Sequence, residues 1–372
     1  MDTKPAPRSP RLIENNEWFP LKTARAANGK VSRTLRFGPR NRASLFNLDS
    51  DKPEIGFPSN RFEAFVFGLA MKINGVNIDS TFAEAFPMKA TRIIITAMNQ
   101  KWAFRAANSI RGFASSVIAC GCEIDIERQL KPSETPDGRP GYSVMIFAMS
   151  VKDLEKQVPM RVGQSVMTTP TTACFSGMDS DIRLPLGKNL RFFGDGYQTS
   201  KTFGGRRYWR IPVMHGEFIC EHTTGVCNAI GGGNFLVLGT SAHHVLSACE
   251  TAVEAIEQLD NVITSFPGGI VGSGSKVGSK YRFLPASTNQ AYCPTLRGLV
   301  DSRLSGEVGS VVEIVIDGLT EAAIKEAMRV GITTACNYWG SARALCRISA
   351  GNYGGNLGKY HFHLEDILAG CE

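Results

Sequence analysis

The chain has 372 residues, 43% of them hydrophobic and 20% charged, with a formal net charge of +7. That is the balance of a globular protein long enough for two or three compact units, and no apolar run approaches the roughly 18 to 20 residues of a membrane-spanning helix. Most of the basic excess lies in residues 1–70, where Leu21 to Arg42 holds no acidic residue. The remainder is near neutral, so charge gives no argument for nucleic-acid binding.

The ten cysteines are scattered without a metal-type CxxC pair. They are expected to be reduced thiols in a cytoplasmic protein. The basic leader has three readings: a disordered arm, a transit-like segment, or sequence upstream of a true start at Met71. The onset of ordered patterning at Met71 favours the third.

From Met71 a strand-then-helix pattern recurs. Arg92 to Met98 is a buried strand, and Asn99 caps a helix with Trp102, Ala106, Ile110 and Phe113 on one stripe. A strand is expected at Ser115 to Cys120 and another at Tyr142 to Met149. Ser150 then opens a helix that kinks or restarts at Pro159 and runs towards Thr168. In the second half, Asn234 to Gly239 is a strand and Ser241 caps a helix. Val262 to Phe266 returns as a strand, Val311 to Asp317 is another, and Thr320 caps the helix Glu321 to Val330. Leu345 to Ser349 and Tyr360 to Leu364 close the chain as extended segments. Two strand–helix units per half predict an α+β protein of two ferredoxin-like α/β sandwich lobes, 71–215 and 216–372. The helices are too few for a (β/α)8 barrel.

Phe266 to Thr295 carries neither periodicity, and a loop this long inside a domain usually binds something. Its glycines allow close backbone approach, Lys276 and Lys280 add cations, and Ser275 and Asn289 are among its uncharged donors. Such a loop suits an anionic, heteroatom-rich ligand. Its Gly-Ser-Lys order rules out a Walker A loop, and its glycine spacing rules out a dinucleotide fingerprint. No Gly-x-Ser-x-Gly elbow or His-Glu-x-x-His motif occurs. His361 and His363 share a strand face without a third ligand. Cys220 and His222 lie near Glu217 without an activating pattern. Glu313 stands on the face of its strand opposite Val312, Ile314 and Ile316. It is an ordinary solvent-face carboxylate unless something covers it, in which case desolvation raises its pKa.

The motifs together resemble the formylmethanofuran:tetrahydromethanopterin formyltransferase family. They are MKINGVNI from Met71, TFAEAFP from Thr81, ETPDGRPG from Glu134, FFGDGY from Phe192, GEF from Gly216 and GGNF from Gly232. FPGGI, SKVGSKY, LPASTNQAYCPT and ISAGNYGG continue them in compatible order. The resemblance implies a two-lobed subunit, assembled as a homodimer or homotetramer, with the active cleft at a subunit interface. It implies reversible formyl transfer between methanofuran and tetrahydromethanopterin as cosubstrates, with no metal or prosthetic group. In formaldehyde-oxidising bacteria it implies a place in a formyltransferase/hydrolase complex. Through EIVI-x-G it points to Glu313 as the acid. Lys276, Lys280 and Arg139 become partners for coenzyme carboxylates or phosphate, with Ser275, Asn289 and Asn352 beside them. Tyr197, Phe193 or Tyr353 would pack on an aromatic ring of a coenzyme. Asn356 stands where the family's lysine is expected, which removes a cation from that loop. A competing reading is a non-catalytic coenzyme-binding or scaffold subunit.

Overall fold

The computed structural model describes residues 71–338 and 344–369. The basic leader, and with it the choice among its three readings, lies outside the described residues. Two copies of one topology account for most of the rest. In the first, strand Phe82–Thr96 leads to helix Gln100–Arg111, strands Glu123–Leu130 and Gly141–Ala148, helix Val151–Arg161 and strand Ala173–Ser176. Pairing places the fourth strand beside the first, the first beside the third and the third beside the second, all antiparallel. In the second, Cys227–Gly239, helix Ala242–Ile256, Val262–Ile263, Ser310–Gly318, helix Glu321–Asn337 and Leu345–Ser349 repeat that order. This is the expected ferredoxin-like arrangement, twice. The two first strands pair antiparallel from Phe86 opposite Gly231 to Ala90 opposite Cys227, which fuses both lobes into one 14-stranded sheet.

Local chemistry explains the helix starts. Asn99, Ser150 and Thr320 each accept a bond from a backbone N–H of the first turn, at Trp102, Asp153 and Ala323. Ser241 occupies the same position without a side-chain cap. The helix from Val151 passes through Pro159 and widens, Met167 N bonding to Val162 O at 2.9 Å. Phe113 leaves the expected stripe and is exposed.

One expected strand is not there. Ser116 caps a single helical turn, Val117–Cys120, and Gly121 closes it at φ 74°, so the strand begins only at Glu123. Val262 to Phe266 shortens to the two-residue strand Val262–Ile263, because Pro267 opens a turn.

The helices bury their apolar faces against the sheet in two cores. Residues of 93–226 form one, with Ile93, Ile110, Leu154 and Phe218 inside it. Phe235, Val253, Ile316 and Ile332 belong to the other, where Ile73, Val76, Ile78, Ala83 and Ala85 join residues from 230 onward. The long strand Phe82–Thr96 therefore serves both cores. Each fully buried large side chain contributes about 1.5–3 kcal/mol. Among the described residues no helix is long and apolar enough to cross a membrane.

Candidate functional site

The glycine-rich segment is tied to the sheet at one point. Val271 N–H donates to Glu313 O at 2.7 Å, and Glu313 N–H donates to Val271 O at 3.0 Å. Beyond that bridge the chain forms a short ladder, Lys276–Val277 against Ala286–Ser287, and then the single turns Gln290–Tyr292 and Pro294–Leu296. The segment is a folded wall, not a slack loop.

Two neighbouring cavities, of about 190 and 330 Å3, share that wall. Val271, Ser273, Ser275, Glu313 and Tyr353 line both. Asn289, Tyr292 and Cys293 complete the smaller one, while Glu84, Phe86, Glu123 and Phe266 help to line the larger. Glu313 is half-buried between them and, among the described residues, forms no ion pair. Burial alone pushes its carboxyl up to about 7. The Tyr353 hydroxyl is pushed up to about 12 by burial and then by the Glu313 and Glu84 carboxylates, so it remains a neutral donor.

Glu84 is the residue that sequence reasoning missed. Its fully buried carboxylate accepts from the backbone N–H groups of Tyr353, Leu357 (3.0 Å) and Gly358 (3.2 Å). Burial works to raise its pKa, but these backbone bonds outweigh it and hold the group below the usual carboxylate range. Glu84 thus shapes the loop that presents Tyr353. Asn234 ties the same loop down from the other side: its Oδ1 accepts from Gly351 N at 2.6 Å and its Nδ2 donates to Gly232 O at 3.0 Å. The one available signal was an acidic residue inside the apolar run Phe82–Phe86.

The structure brings Glu313, Ser275 and Asn289 together, and it separates the others from them. Lys276 sits on the short ladder and Lys280 on the exposed turn beyond it, outside both linings. Asn352 is spent within its loop, Oδ1 accepting from Gly354 N at 2.8 Å. Arg139 uses its fork internally, on Asp137 Oδ2 (2.8 Å), Thr171 O (2.5 Å) and Thr96 Oγ1 (3.0 Å). Tyr197 is exposed beside a separate apolar hollow lined by Phe193, Met167, Pro212 and Met214. Asn356 is exposed and donates to Gly354 O.

The other chemical suspects have structural partners. His361 and His363 flank the Phe82 ring at 4.7 and 4.8 Å between centroids. The Cys220 thiol is buried beside Cys174 and pushed far up by desolvation. His222 Nδ1 accepts from Trp209 Nε1 at 2.8 Å, and Glu217 pairs with Arg210.

Paired ferredoxin-like lobes with a half-buried acid in a hydroxyl- and amide-lined cleft define a two-lobed transferase of formyl groups, and the comparisons with known proteins agree. Residues 71–213 match the family model for formylmethanofuran-tetrahydromethanopterin formyltransferase, and residues 216–367 match its proximal lobe. The chain belongs to the formylmethanofuran-tetrahydromethanopterin formyltransferase family.

It is 62% identical over 299 residues to the formyltransferase of Methylococcus capsulatus, covering 80% of this chain and all of that one. It is 49% identical to that of Archaeoglobus fulgidus, again covering 80% of this chain and 100% of the relative. Among solved structures it resembles the formyltransferase/hydrolase complex of Methylorubrum extorquens bound to methylofuran, with a TM-score of 0.78 and 47% identity over 80% of this chain and 99% of that one. The formyltransferase of Methanosarcina barkeri gives 0.74 and 46%, over 80% and 100%.

Proposed function

We infer that this chain transfers a formyl group reversibly between formylmethanofuran and tetrahydromethanopterin, directly from nitrogen to nitrogen. Family membership over both lobes supports the reaction. The single observation that supports the mechanism is the environment of Glu313, a carboxyl raised to about 7 by burial at the junction of two cavities.

Both coenzymes act as cosubstrates, and holding both amines in one cleft supplies much of the acceleration without a covalent enzyme intermediate. The acceptor nitrogen attacks the formyl carbon and its oxygen gathers negative charge. Glu313, protonated in about half the molecules near neutral pH, donates its hydrogen bond to that oxygen. The Tyr353 hydroxyl, held neutral, and the hydroxyls of Ser273 and Ser275 are further donors on the same wall. When the intermediate collapses the leaving amine needs a proton, and Glu313 supplies it. The low charge of the wall favours a protonated acid, whereas a lysine at the site would favour the carboxylate.

We take 71–215 and 216–372 as the two lobes. Relatives support assembly as a homodimer or homotetramer, or as the corresponding subunit of a formyltransferase/hydrolase complex. In such an assembly Lys276, Lys280, Arg139 and Tyr197, which stand off the cavities here, would reach a coenzyme only across a subunit boundary. All nine described cysteines are thiols, in keeping with a cytoplasmic enzyme.

The test is a spectroscopic assay of the purified chain with both coenzymes. Turnover is the expected result. Tight binding of either coenzyme without transfer would support the scaffold reading instead.

A further inference from the structure

Four residues beyond Glu313 on the same strand, and on the same face, lies Asp317, with no exposed surface. Its Oδ1 accepts from Gly232 N–H at 3.1 Å, and its Oδ2 is buried without a hydrogen-bond partner among the described residues. Facing it from the other lobe is Glu123, 7% exposed, whose Oε1 accepts from Val117 N–H at 3.0 Å. The two carboxyl groups are within hydrogen-bonding reach of each other. Neither forms an ion pair among the described residues. The charged groups around them are Asp125, which pairs with Arg111 at 2.8 Å, and Glu257 beyond Asp125.

Two carboxylates cannot face each other in a dry site, because each repels the other and both lack water. One proton between them resolves the repulsion and the orphan oxygen at once: a carboxyl O–H on either acid gives Asp317 Oδ2 its missing partner. The position is pinned on both sides. A Cβ on Gly231 would lie 2.8 Å from Asp317 Oδ1, so the chain carries glycine where the acid presses on it.

We propose that Glu123 and Asp317 are a proton-sharing carboxyl pair that clamps the two lobes together across the floor of the Glu313 cavity, and so act as positioning residues for the transfer. Glu123 holds the Val117–Cys120 turn from the first lobe and Asp317 holds the Gly231–Gly232 backbone from the second. Ser116, Val117 and Gly232 all line the larger cavity beside Glu313. The shared proton makes the clamp attractive. Removing it leaves two facing anions at the lobe junction, and the floor opens. Burial, then the charge of the partner acid, pushes Asp317 far above the usual carboxylate range, and burial raises Glu123 as well. The positioning role rests on the reading of Glu313 as the acid of the transfer; the shared proton does not.

The two parts are tested separately. In the coenzyme-free Glu313→Gln chain at about pH 9, where Asp125 has also ionised, infrared difference spectra between H2O and D2O should keep the carbonyl band of a protonated carboxyl. Asp317→Asn should remove it, since the amide N–H then supplies the bond. Absence of the band, or its persistence in Asp317→Asn, overturns the shared proton. In the assay, Asp317→Ala should lower turnover at saturating coenzymes about tenfold or more, and Asp317→Asn should recover most of that loss, at unchanged KM. Equal loss in both variants overturns the positioning role. If Asp317→Ala does not fold, Glu123→Ala and Glu123→Gln form the same comparison from the other lobe. Should Glu313→Gln prove fully active while the band behaves as expected, the reading of Glu313 fails and the proton-sharing pair stands.

Discussion

Val271 and Glu313 exchange both of their backbone hydrogen bonds, at 2.7 and 3.0 Å, so the glycine-rich wall is fastened to the strand at the residue whose side chain divides the two cavities. The bridge fixes the Glu313 backbone, and with it the direction of the carboxyl, without using a side-chain atom. Val271 itself lines both cavities. Coenzyme contacts on the wall and proton chemistry on the strand are therefore coupled through one pair of peptide groups.

Glu313 carries the first prediction. Glu313→Ala removes donor and proton, and turnover should fall on the order of a hundredfold to a thousandfold, the usual loss for one oxyanion donor. Glu313→Gln keeps a donor and should fall less. Coenzyme affinity should change little in either. Because the protonated form is the active one, wild-type turnover should decline as pH rises through about 7, and that limb should be missing from the Gln variant. A variant with near-normal turnover would reduce Glu313 to an ordinary strand carboxylate.

The bridge supports a second prediction. Val271→Pro deletes the N–H that reaches Glu313 O and leaves the rest of the wall sequence intact. KM for at least one coenzyme should rise about tenfold as the wall loosens, at a stability cost of about 1–3 kcal/mol for the orphaned acceptor. Titration of coenzyme binding alongside thermal melting checks both. Unchanged affinity would mean that the wall is held elsewhere.

Much of this architecture was legible in the sequence, and what was not has a physical cause. Asn99, Ser150 and Thr320 could be read as caps because capping is local. The strand Glu123–Leu130 went unread since acids alternating with isoleucine suggest a wetted face. In the folded chain Glu123, Asp125 and Glu127 are all buried, answered by the Val117 N–H, by Arg111 and by Arg92. Those partners belong to other segments of the fold. Arg139 has the same history: Thr96 and Thr171, which occupy its fork, flank it by 43 and 32 positions. Glu313 was legible only through its motif, because the periodicity of its strand assigns it to solvent.

Glu84 and Gly358 together give a third prediction. Glu84→Ala leaves three loop N–H groups without their acceptor, each worth about 1–3 kcal/mol if it stays buried, so a loss of several kcal/mol is expected. A Cβ on Gly358 would stand 2.6 Å from Ala85 O and 2.9 Å from Ala85 N, rigid strand backbone that cannot move aside. Gly358→Ala should therefore displace the same loop with Glu84 intact. Both variants should lose turnover through misplacement of Tyr353. Denaturant unfolding together with the transfer assay measures each loss. A stable, fully active Gly358→Ala protein would show that the loop's position does not matter.

The last prediction turns the environment of Glu313 into a stability measurement without coenzymes. Its carboxyl titrates at about 7 in the folded chain, against an ordinary 4.5. Between these values the unfolded chain has released the proton while the folded chain still holds it. Unfolding therefore releases a proton, and stability falls as pH rises through this window, levelling off above about 7. Glu313→Gln has no proton to lose. Its stability should match wild type below about pH 4 and exceed it by roughly 1–3 kcal/mol above about pH 7, allowing for the opening of the side chain to the cavities. Melting temperatures of both proteins from pH 4 to about 9 make the comparison. A constant offset across the range would place the difference in packing, and a wild-type advantage at high pH would mean that a cation pairs with the carboxylate and that Glu313 is no acid at neutral pH.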